Sequence, residues 1–169
     1  MNSWLTNPMR IKIFRLCFAL VISATLVLGF SQSTLAANYN NRTMIGEDFS
    51  GQDLTDSSFD HANLRNSNFS NSNLVGVRLF SANLASVDFT GADLRYADLE
   101  STRLTKANLT NANLEGAFLT NAMFDGAVID GADFTDVLLR NDVQANLCKM
   151  AKGTNPTTGN DTRDSLMCP

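Results

Sequence analysis

The stretch KANLTNANLEGAFL, from Lys106 to Leu119, has an apolar residue at every fifth position. Leu109, Leu114 and Leu119 carry this period, and an alanine precedes each of them by two places. One face of a helix recurs every 3.6 residues and one face of a strand every 2, so neither element keeps these leucines on one side. The stretch therefore predicts a backbone that turns one large residue inward at every fifth position.

The same period runs far beyond this stretch, from Phe49 to Leu139. All nineteen positions of the series are Leu, Phe or Ile, and the residue two places earlier is small or modest in size except at Glu47 and Gln52. The residue two places later is mostly Gly, Asn, Ser or Asp, which tolerate tight turns and left-handed backbone. We expect short extended sides separated by corners, with one large and one small residue inside each, because two large ones would overfill a close-packed interior.

These repeats resemble the pentapeptide-repeat family, whose pattern is A-[DN]-[LF]-x-x. The resemblance implies an all-β solenoid, a right-handed quadrilateral β-helix with one repeat on each side of the coil. It covers residues 48–141, which would make just under five coils. Four sides give a period of 20, which predicts that Phe49, Phe69 and Phe89 stack on one side.

Both ends of such a β-helix need a cover, because apolar rungs and unpaired strand edges invite association. Residues 37–47 are the predicted N-terminal cap. Residues 142–169 are the predicted C-terminal cap, opened by a helix that Asn141 or Asp142 caps. The buried face of that helix is predicted to carry Val143, Leu147, Met150 and Ala151. The tail LCKMAKGTNPTTGNDTRDSLMC also resembles the tail of the thylakoid-lumen pentapeptide proteins of cyanobacteria and plants, which implies a lumenal or periplasmic location.

Residues 1–36 have the features of a secretory signal peptide. Basic residues precede the apolar run LCFALVISATLVLGF, and small residues follow it. The predicted cleavage lies after Ala36, with Ala37 as the alternative. A retained membrane anchor is the competing interpretation, but fifteen apolar residues fall short of the roughly 20 that a spanning helix needs. Cleavage would remove three of the 13 basic residues and none of the 17 acidic ones, leaving a net charge of −7 (10 − 17).

Cys148 and Cys168 would be the only cysteines left after cleavage. Two thiols in an oxidising compartment predict a disulfide. A zinc site is the alternative, but no histidine lies near these cysteines in the sequence, and a CxxC spacing is missing. We also weighed a redox-responsive role for the same bond.

The sequence offers little material for catalysis, and we predict no catalytic residue, no metal site and no cofactor. His61 is the only histidine, at a position that should face solvent at a corner. The serines lack a nucleophile-elbow context. One alternative is a weak cation site, formed by a group of acidic residues near the end of the repeats: Asp125, Asp130, Asp133 and Asp136.

Apolar residues at outward positions are the most informative departures from the pattern. An apolar outward patch indicates a covered surface or an interface. We expect the tail to fold over it, with self-association or a protein partner as the alternatives. The candidate patch consists of Phe80, Phe118, Met123, Val128 and Leu138.

The sequence as a whole predicts a non-enzymatic exported protein that acts as a structural or protein-interaction module in the thylakoid lumen or periplasm. An acidic chain without a basic run is not expected to bind nucleic acid, nor a membrane after cleavage. Some members of the family mimic DNA and protect a topoisomerase, which is an alternative that export disfavours.

Overall fold

A computed structural model describes residues 36–169. The predicted signal peptide lies outside this range, apart from Ala36 at its end. Among the described residues, no helix is of a length and apolar character that would let it cross a membrane.

The repeats coil into a β-helix with four sides per turn. Parallel bridges join residues that are 20 apart, from Asn38 with Ser58 to Phe118 with Leu138, and one bridge falls every five residues. We number the sides by the inward residue of the first coil: side 1 carries Tyr39, side 2 Met44, side 3 Phe49 and side 4 Leu54. In each side the large inward residue is the central residue, and the residue just before it is the outward residue.

Each corner follows from the residue two places after the central one. That residue has a positive φ in every repeat from Tyr39 to Phe134, for example 58° at His61 and 65° at Gly91. Left-handed backbone is open to Gly and is adopted by Asn, Asp and other short polar residues more readily than by bulky ones. Tyr96 and Lys106 adopt it as well, at 57° and 60°, because the flanking ladders fix the backbone there.

The interior is a continuous column of central residues, most of which are fully buried. The predicted aromatic stack on side 3 is confirmed: the ring centroids of Phe49 and Phe69 lie 4.7 Å apart and those of Phe69 and Phe89 lie 5.4 Å apart. Tyr39 stacks on Phe59 on side 1 at 4.6 Å. The N-terminal coils are therefore filled by aromatic rings, and the later coils mainly by leucine.

The predicted N-terminal boundary is wrong, because the ladder already begins at Asn38. Asn38 and Thr43 pair with the next coil, so residues 37–47 form the first two sides and are not a separate cap. Residues 38–137 make five coils at 20 residues per coil, where the sequence indicated just under five. Tyr39 and Met44 at the central positions, and Arg42 at a small position, hid these sides. The open end accepts them because no coil among residues 36–169 packs above it.

The tail contains two helices, α1 at Asn141–Cys148 and α2 at Thr162–Ser165. The residue before α1 is Arg140, whose side chain forms no capping hydrogen bond, so neither Asn141 nor Asp142 is the N-cap. Met150 is 40% exposed, contrary to the prediction, because α1 ends before it and the helical face stops there. The tail residues that join the core are Leu147, Cys148, Ala151 and Leu166.

The predicted disulfide is present and closes the tail. It joins Cys148, the last residue of α1, to Cys168, with their Cα atoms 5.6 Å apart. Between the two helices, Thr154 and Asp161 form an antiparallel bridge. The loop that this bridge closes, residues 155–160, lies against side 4.

The tail also continues the hydrogen bonding of the last coil. The N–H of Gly131 donates to the carbonyl of Lys152 at 2.8 Å, where the next coil would accept. The N–H of Phe134 donates to the Oγ of Ser165 at 3.0 Å. The tail therefore supplies acceptors to the C-terminal edge of the ladder.

Candidate interaction surface

Four apolar side chains stand at outward positions around the last coil. Phe118 and Leu138 are bridged neighbours on side 1, Met123 lies on side 2 and Val128 on side 3. We call these four residues the apolar belt. They follow one another at intervals of five or ten residues, so the belt passes around three of the four sides.

The belt faces away from the protein core and is accessible. The exposed fractions are 49% for Phe118, 42% for Met123, 45% for Val128 and 72% for Leu138. The expectation that the tail covers these side chains is therefore wrong. The tail residues that pack inward meet the end of the core and side 4, which leaves the outer faces of sides 1 to 3 open.

The belt begins abruptly. One coil earlier, the same three columns carry Asp98, Arg103 and Asn108, which are bridged to Phe118, Met123 and Val128 respectively. Polar residues at these positions need no cover, whereas a continuous apolar surface in water is unfavourable unless something packs on it. The change from polar to apolar coincides with the last coil and not with a change of backbone.

Side 4 at this level is built in the opposite way. Its outward residue, Asp133, is fully buried beneath the tail. Its carboxylate accepts hydrogen bonds from the backbone and hydroxyl of Thr135 and from Nδ2 of Asn160. Burial raises the pKa of Asp133, but the hydrogen bonds from Thr135, Thr158 and Asn160 outweigh it and hold the pKa below 3.8.

A groove of about 670 Å³ separates side 2 of the last coil from α1. Met123 forms one wall, and Val143 and Met150 line the opposite side. At its rim, Arg140 and Asp142 form an exposed ion pair with an N–O distance of 2.7 Å. The groove therefore extends the apolar belt toward the tail and is bordered by charged groups.

Hydrogen bonds from the Arg140 guanidinium hold the pKa of Asp142 below its ordinary value. Both side chains of this ion pair are exposed, by 60% and 62%, so the pair contributes little stability and mainly marks the edge of the groove.

Phe80 does not join the belt. It lies on side 1 almost two coils earlier, roughly 9 Å away along the axis at the usual strand spacing. Its ring is half-buried and meets the ring of His61 edge-on, with centroids 5.6 Å apart. His61 itself is exposed at a corner. The structure thus divides the five predicted patch residues into a belt of four and a separate Phe80–His61 contact.

The acidic residues weighed as a cation site are directed to different partners. Asp133 is held under the tail, and Asp130 pairs with Lys152 at 3.2 Å. Within residues 36–169, no three His, Cys, Asp or Glu side chains lie together in a way that could hold a metal ion. These carboxylates therefore have no shared site in the part of the chain that the structure describes.

Met150 is a groove residue that the sequence did not reveal as part of a surface. The period of five ends before it, and the helical pattern predicted it to be buried. Only the position at which α1 ends shows that Met150 faces outward.

The repeat geometry agrees with a comparison against known families. The pattern described as a pentapeptide repeat region matches residues 38–119, and the pattern described as pentapeptide repeats, eight copies, matches residues 102–141. A crystal structure of a pentapeptide repeat protein from the Arabidopsis thaliana thylakoid lumen is 50% identical, with a TM-score of 0.76. The alignment covers 77% of this chain and 90% of the Arabidopsis protein. The chain belongs to the pentapeptide-repeat family.

Two further relatives extend this pentapeptide-repeat assignment. A pentapeptide repeat protein from Nostoc PCC 7120 is 28% identical, has a TM-score of 0.50, and covers 64% of this chain and 91% of its own. The thylakoid lumenal 15 kDa protein 1 of Arabidopsis thaliana is 65% identical over 37 residues, which are 22% of this chain and 16% of that protein. The chain therefore aligns with about one sixth of the length of this curated relative. These relationships identify a right-handed β-helix and a kinship with thylakoid-lumen proteins.

Proposed function

We propose that this pentapeptide-repeat protein is exported to the thylakoid lumen or periplasm and acts there, without catalysis, as a protein-binding module. The kinship with lumenal proteins supports the location, together with the signal-peptide pattern of residues 1–36. The β-helix supplies a rigid surface, and we infer that the tail acts as its C-terminal cap.

The apolar belt is the observation that carries this proposal. Its four side chains are exposed by 42% to 72%, and Phe118, Met123 and Val128 replace polar residues of the coil before them. Association with a partner would remove this apolar area from water, which stabilises a complex by about 25 cal/mol per Å² buried. The binding face is accordingly the last coil, around sides 1 to 3.

The groove beside α1 indicates how a partner is oriented. Met123, Val143 and Met150 offer an apolar floor and walls, and methionine side chains adapt to differently shaped apolar groups. The Arg140–Asp142 pair at the rim can be engaged by polar groups of either charge. The partner we expect presents an apolar side chain or a short apolar helix face with polar groups around it.

Crosslinking and affinity capture from lumenal extract test this proposal, with the wild type compared with Phe118→Asp. A carboxylate in the middle of the belt would have to be desolvated on binding, so the variant should lose the crosslinked partner. The matched control is Asn83→Asp, which places the same residue at an outward position of an earlier coil. It should retain the partner.

Thermal unfolding of the isolated variants distinguishes binding from internal packing. We expect Phe118→Asp to keep the wild-type unfolding midpoint, because the ring is half exposed and the backbone bridges are unchanged. If Phe118→Asp changes neither the partner profile nor the oligomeric state, the belt is not a binding face. A lowered midpoint with unchanged partners would assign Phe118 a role in folding instead.

A further inference from the structure

Within residues 36–169, the N-terminal end of the β-helix is an open strand edge. In later coils the outward residue donates its backbone N–H to the carbonyl 21 places earlier, as Ser58 does to Ala37 at 2.8 Å. The equivalent N–H groups of Asn38, Thr43 and Asp48 have no acceptor among residues 36–169. Such an edge is a ready template for another strand.

Apolar groups accompany this edge. Tyr39 and Met44, the first two central residues, are only half-buried, and Ile45 is 49% exposed. The C-terminal edge has tail acceptors and buried leucines against it, so the two ends of the described chain differ. The first coil thus combines unpaired backbone with uncovered rungs.

We propose that this end pairs with the same end of a second copy, forming a two-fold head-to-head dimer. Two coil ends that face each other across a two-fold axis run in opposite directions, so every contact between them is antiparallel. The N–H and C=O groups of the two first coils can then form ladder hydrogen bonds. This interface lies at the opposite end from the apolar belt; it rests on the export cleavage that the proposed function includes, and not on the belt.

The shape of the end selects the position of the axis. The backbone climbs by one strand spacing, about 4.8 Å, over the four sides of a coil, so the end is a ramp that starts at side 1. When the axis passes through the middle of side 2, the gap between the two coil ends is the same over sides 1, 2 and 3. No other position of the axis gives an equal gap over three sides. Met44 then meets the partner's Met44, and Tyr39 faces the partner's Phe49.

The charges at the end select the same axis. Arg42 and Glu47 occupy the corners on either side of side 2, at small positions that are Ala, Ser, Val or Thr in later coils, and both are exposed. An axis through side 2 brings Arg42 beside the partner's Glu47, and does so twice. An axis through either of these two corners would instead bring two arginines or two glutamates together.

The competing state of the end is a solvated monomer. Arg42 lies over the ring of Tyr39, with Cζ 5.7 Å from the centroid, and Nε2 of Gln52 donates to the carbonyl of Asp48. The Gln52 amide thus satisfies one carbonyl of the edge, and the Arg42 guanidinium covers part of the Tyr39 ring. One coil end is also smaller than the roughly 800 Å² per partner of a standard interface, so we expect a dimer that dissociates in the micromolar range.

Sedimentation across protein concentration and salt tests the dimer, with the chain recovered after export and its N-terminus read by intact mass. Arg42→Glu and Glu47→Arg should each weaken association by about tenfold or more, and the double exchange should restore it. Arg65→Glu, an exposed charge one coil away, is the matched control and should leave association unchanged. Phe118→Asp should also leave it unchanged, which separates this test from that of the belt.

Disulfide crosslinking tests the axis itself in the same exported chain, which no longer contains Cys17. Met44→Cys should form a covalent dimer on mild oxidation, because the residue faces its own copy. Asn38→Cys is equally near the end but faces a different residue of the partner, so it should stay unlinked. Monomers at all concentrations would overturn the dimer, and crosslinking through Asn38→Cys but not Met44→Cys would overturn this axis.

Discussion

Each end of this β-helix has apolar rungs and a strand edge that no further coil covers, and the two ends differ in what covers them within the described chain. At the C-terminal end, a tail held by a disulfide covers the last rungs and supplies acceptors to the ladder. At the N-terminal end, the described chain offers only local contacts and long polar residues at positions that are small elsewhere. Repeats with a period of five can extend the coil without limit, because each coil offers a ladder edge to the next. The coil therefore ends only where residues depart from the period.

The interior differs between the ends in a related way. Aromatic rings fill sides 1 and 3 of the first coils, where stacked and edge-on contacts link Tyr39, Phe49, Phe59 and Phe69. The far end is filled by the central residues Leu119, Phe124, Ile129 and Phe134 together with alanines and the tail. Stacked rings add about 0.5–1.5 kcal/mol per pair beyond the area they bury, which stabilises an end that has no tail.

The largest expected effect comes from breaking the aromatic stack. Phe69 is fully buried between Phe49 and Phe89. Phe69→Ala therefore leaves a cavity, and the hydrogen-bonded backbone of the coil cannot move inward to fill it. We expect the free energy of unfolding to fall by about 3–5 kcal/mol in chemical denaturation. Phe80→Ala, at a half-buried outward position, is the control and should cost much less; equal losses would contradict this role of the stack.

Removing the disulfide addresses the other end. Replacing Cys148 and Cys168 by serine opens a loop of 20 residues, which should cost about 3 kcal/mol by chain entropy. Hydrogen exchange should accelerate in residues 141–169 and in the last coil, and stay unchanged around the aromatic stack. An equal acceleration in the first coils would show that the two ends unfold as one unit.

A matched pair of amide side chains compares how the ends are held. Asn155 is fully buried, and its Nδ2 donates to the carbonyls of Asn111 and Ala112 at 3.2 and 3.1 Å. Asn155→Ala should cost about 2 kcal/mol, because one buried and one partly buried carbonyl lose a donor. Gln52→Ala removes an exposed contact at the N-terminal end and should change the free energy of unfolding by less than about 0.5 kcal/mol. A loss at Gln52 as large as that at Asn155 would contradict the contrast.

The smallest effect is a pH dependence confined to the C-terminal end. The folded-state pKa of Asp133 lies below 3.8, so its ionised form stabilises the tail above pH 3.8. That stabilisation is lost as the pH falls through the folded pKa, and exchange of the tail amides should then accelerate. Asp133→Asn should remove this part of the pH dependence, and an unchanged pH profile in the variant would assign the effect to another group.

Much of the fold could be predicted from the sequence because the five residues of each repeat specify one side of the coil and its corner. Leu109 with Ala107 already specifies one side, and the residue two places after the leucine specifies the corner. The error lay where a repeat lacks its usual residues: Arg42 at the small position and Met44 at the centre hid a side that the backbone nevertheless forms. At an open end the small position has no coil above it, so size is no longer selected there.

The residues of the candidate site were predicted from their apolar character, but their exposure became clear only from the position of the tail. Phe118, Met123, Val128 and Leu138 stood out as apolar residues at outward places, and the sequence favoured a tail lying over them. Where the tail lies depends on contacts more than 25 residues apart, such as Asn160 with Asp133 and Ser165 with Phe134. No local pattern records contacts of that range.

The sequence alone determined the period, the family and the pair of cysteines, because these depend on residue identity at fixed spacing. Tertiary structure alone decided that Asn38 begins the ladder, that the tail covers Asp133 on side 4, and that the apolar belt stays exposed on the other three sides. The physical reason is that a ladder hydrogen bond needs only backbone, whereas the cover of a surface depends on which distant groups complete one another's hydrogen bonds and packing.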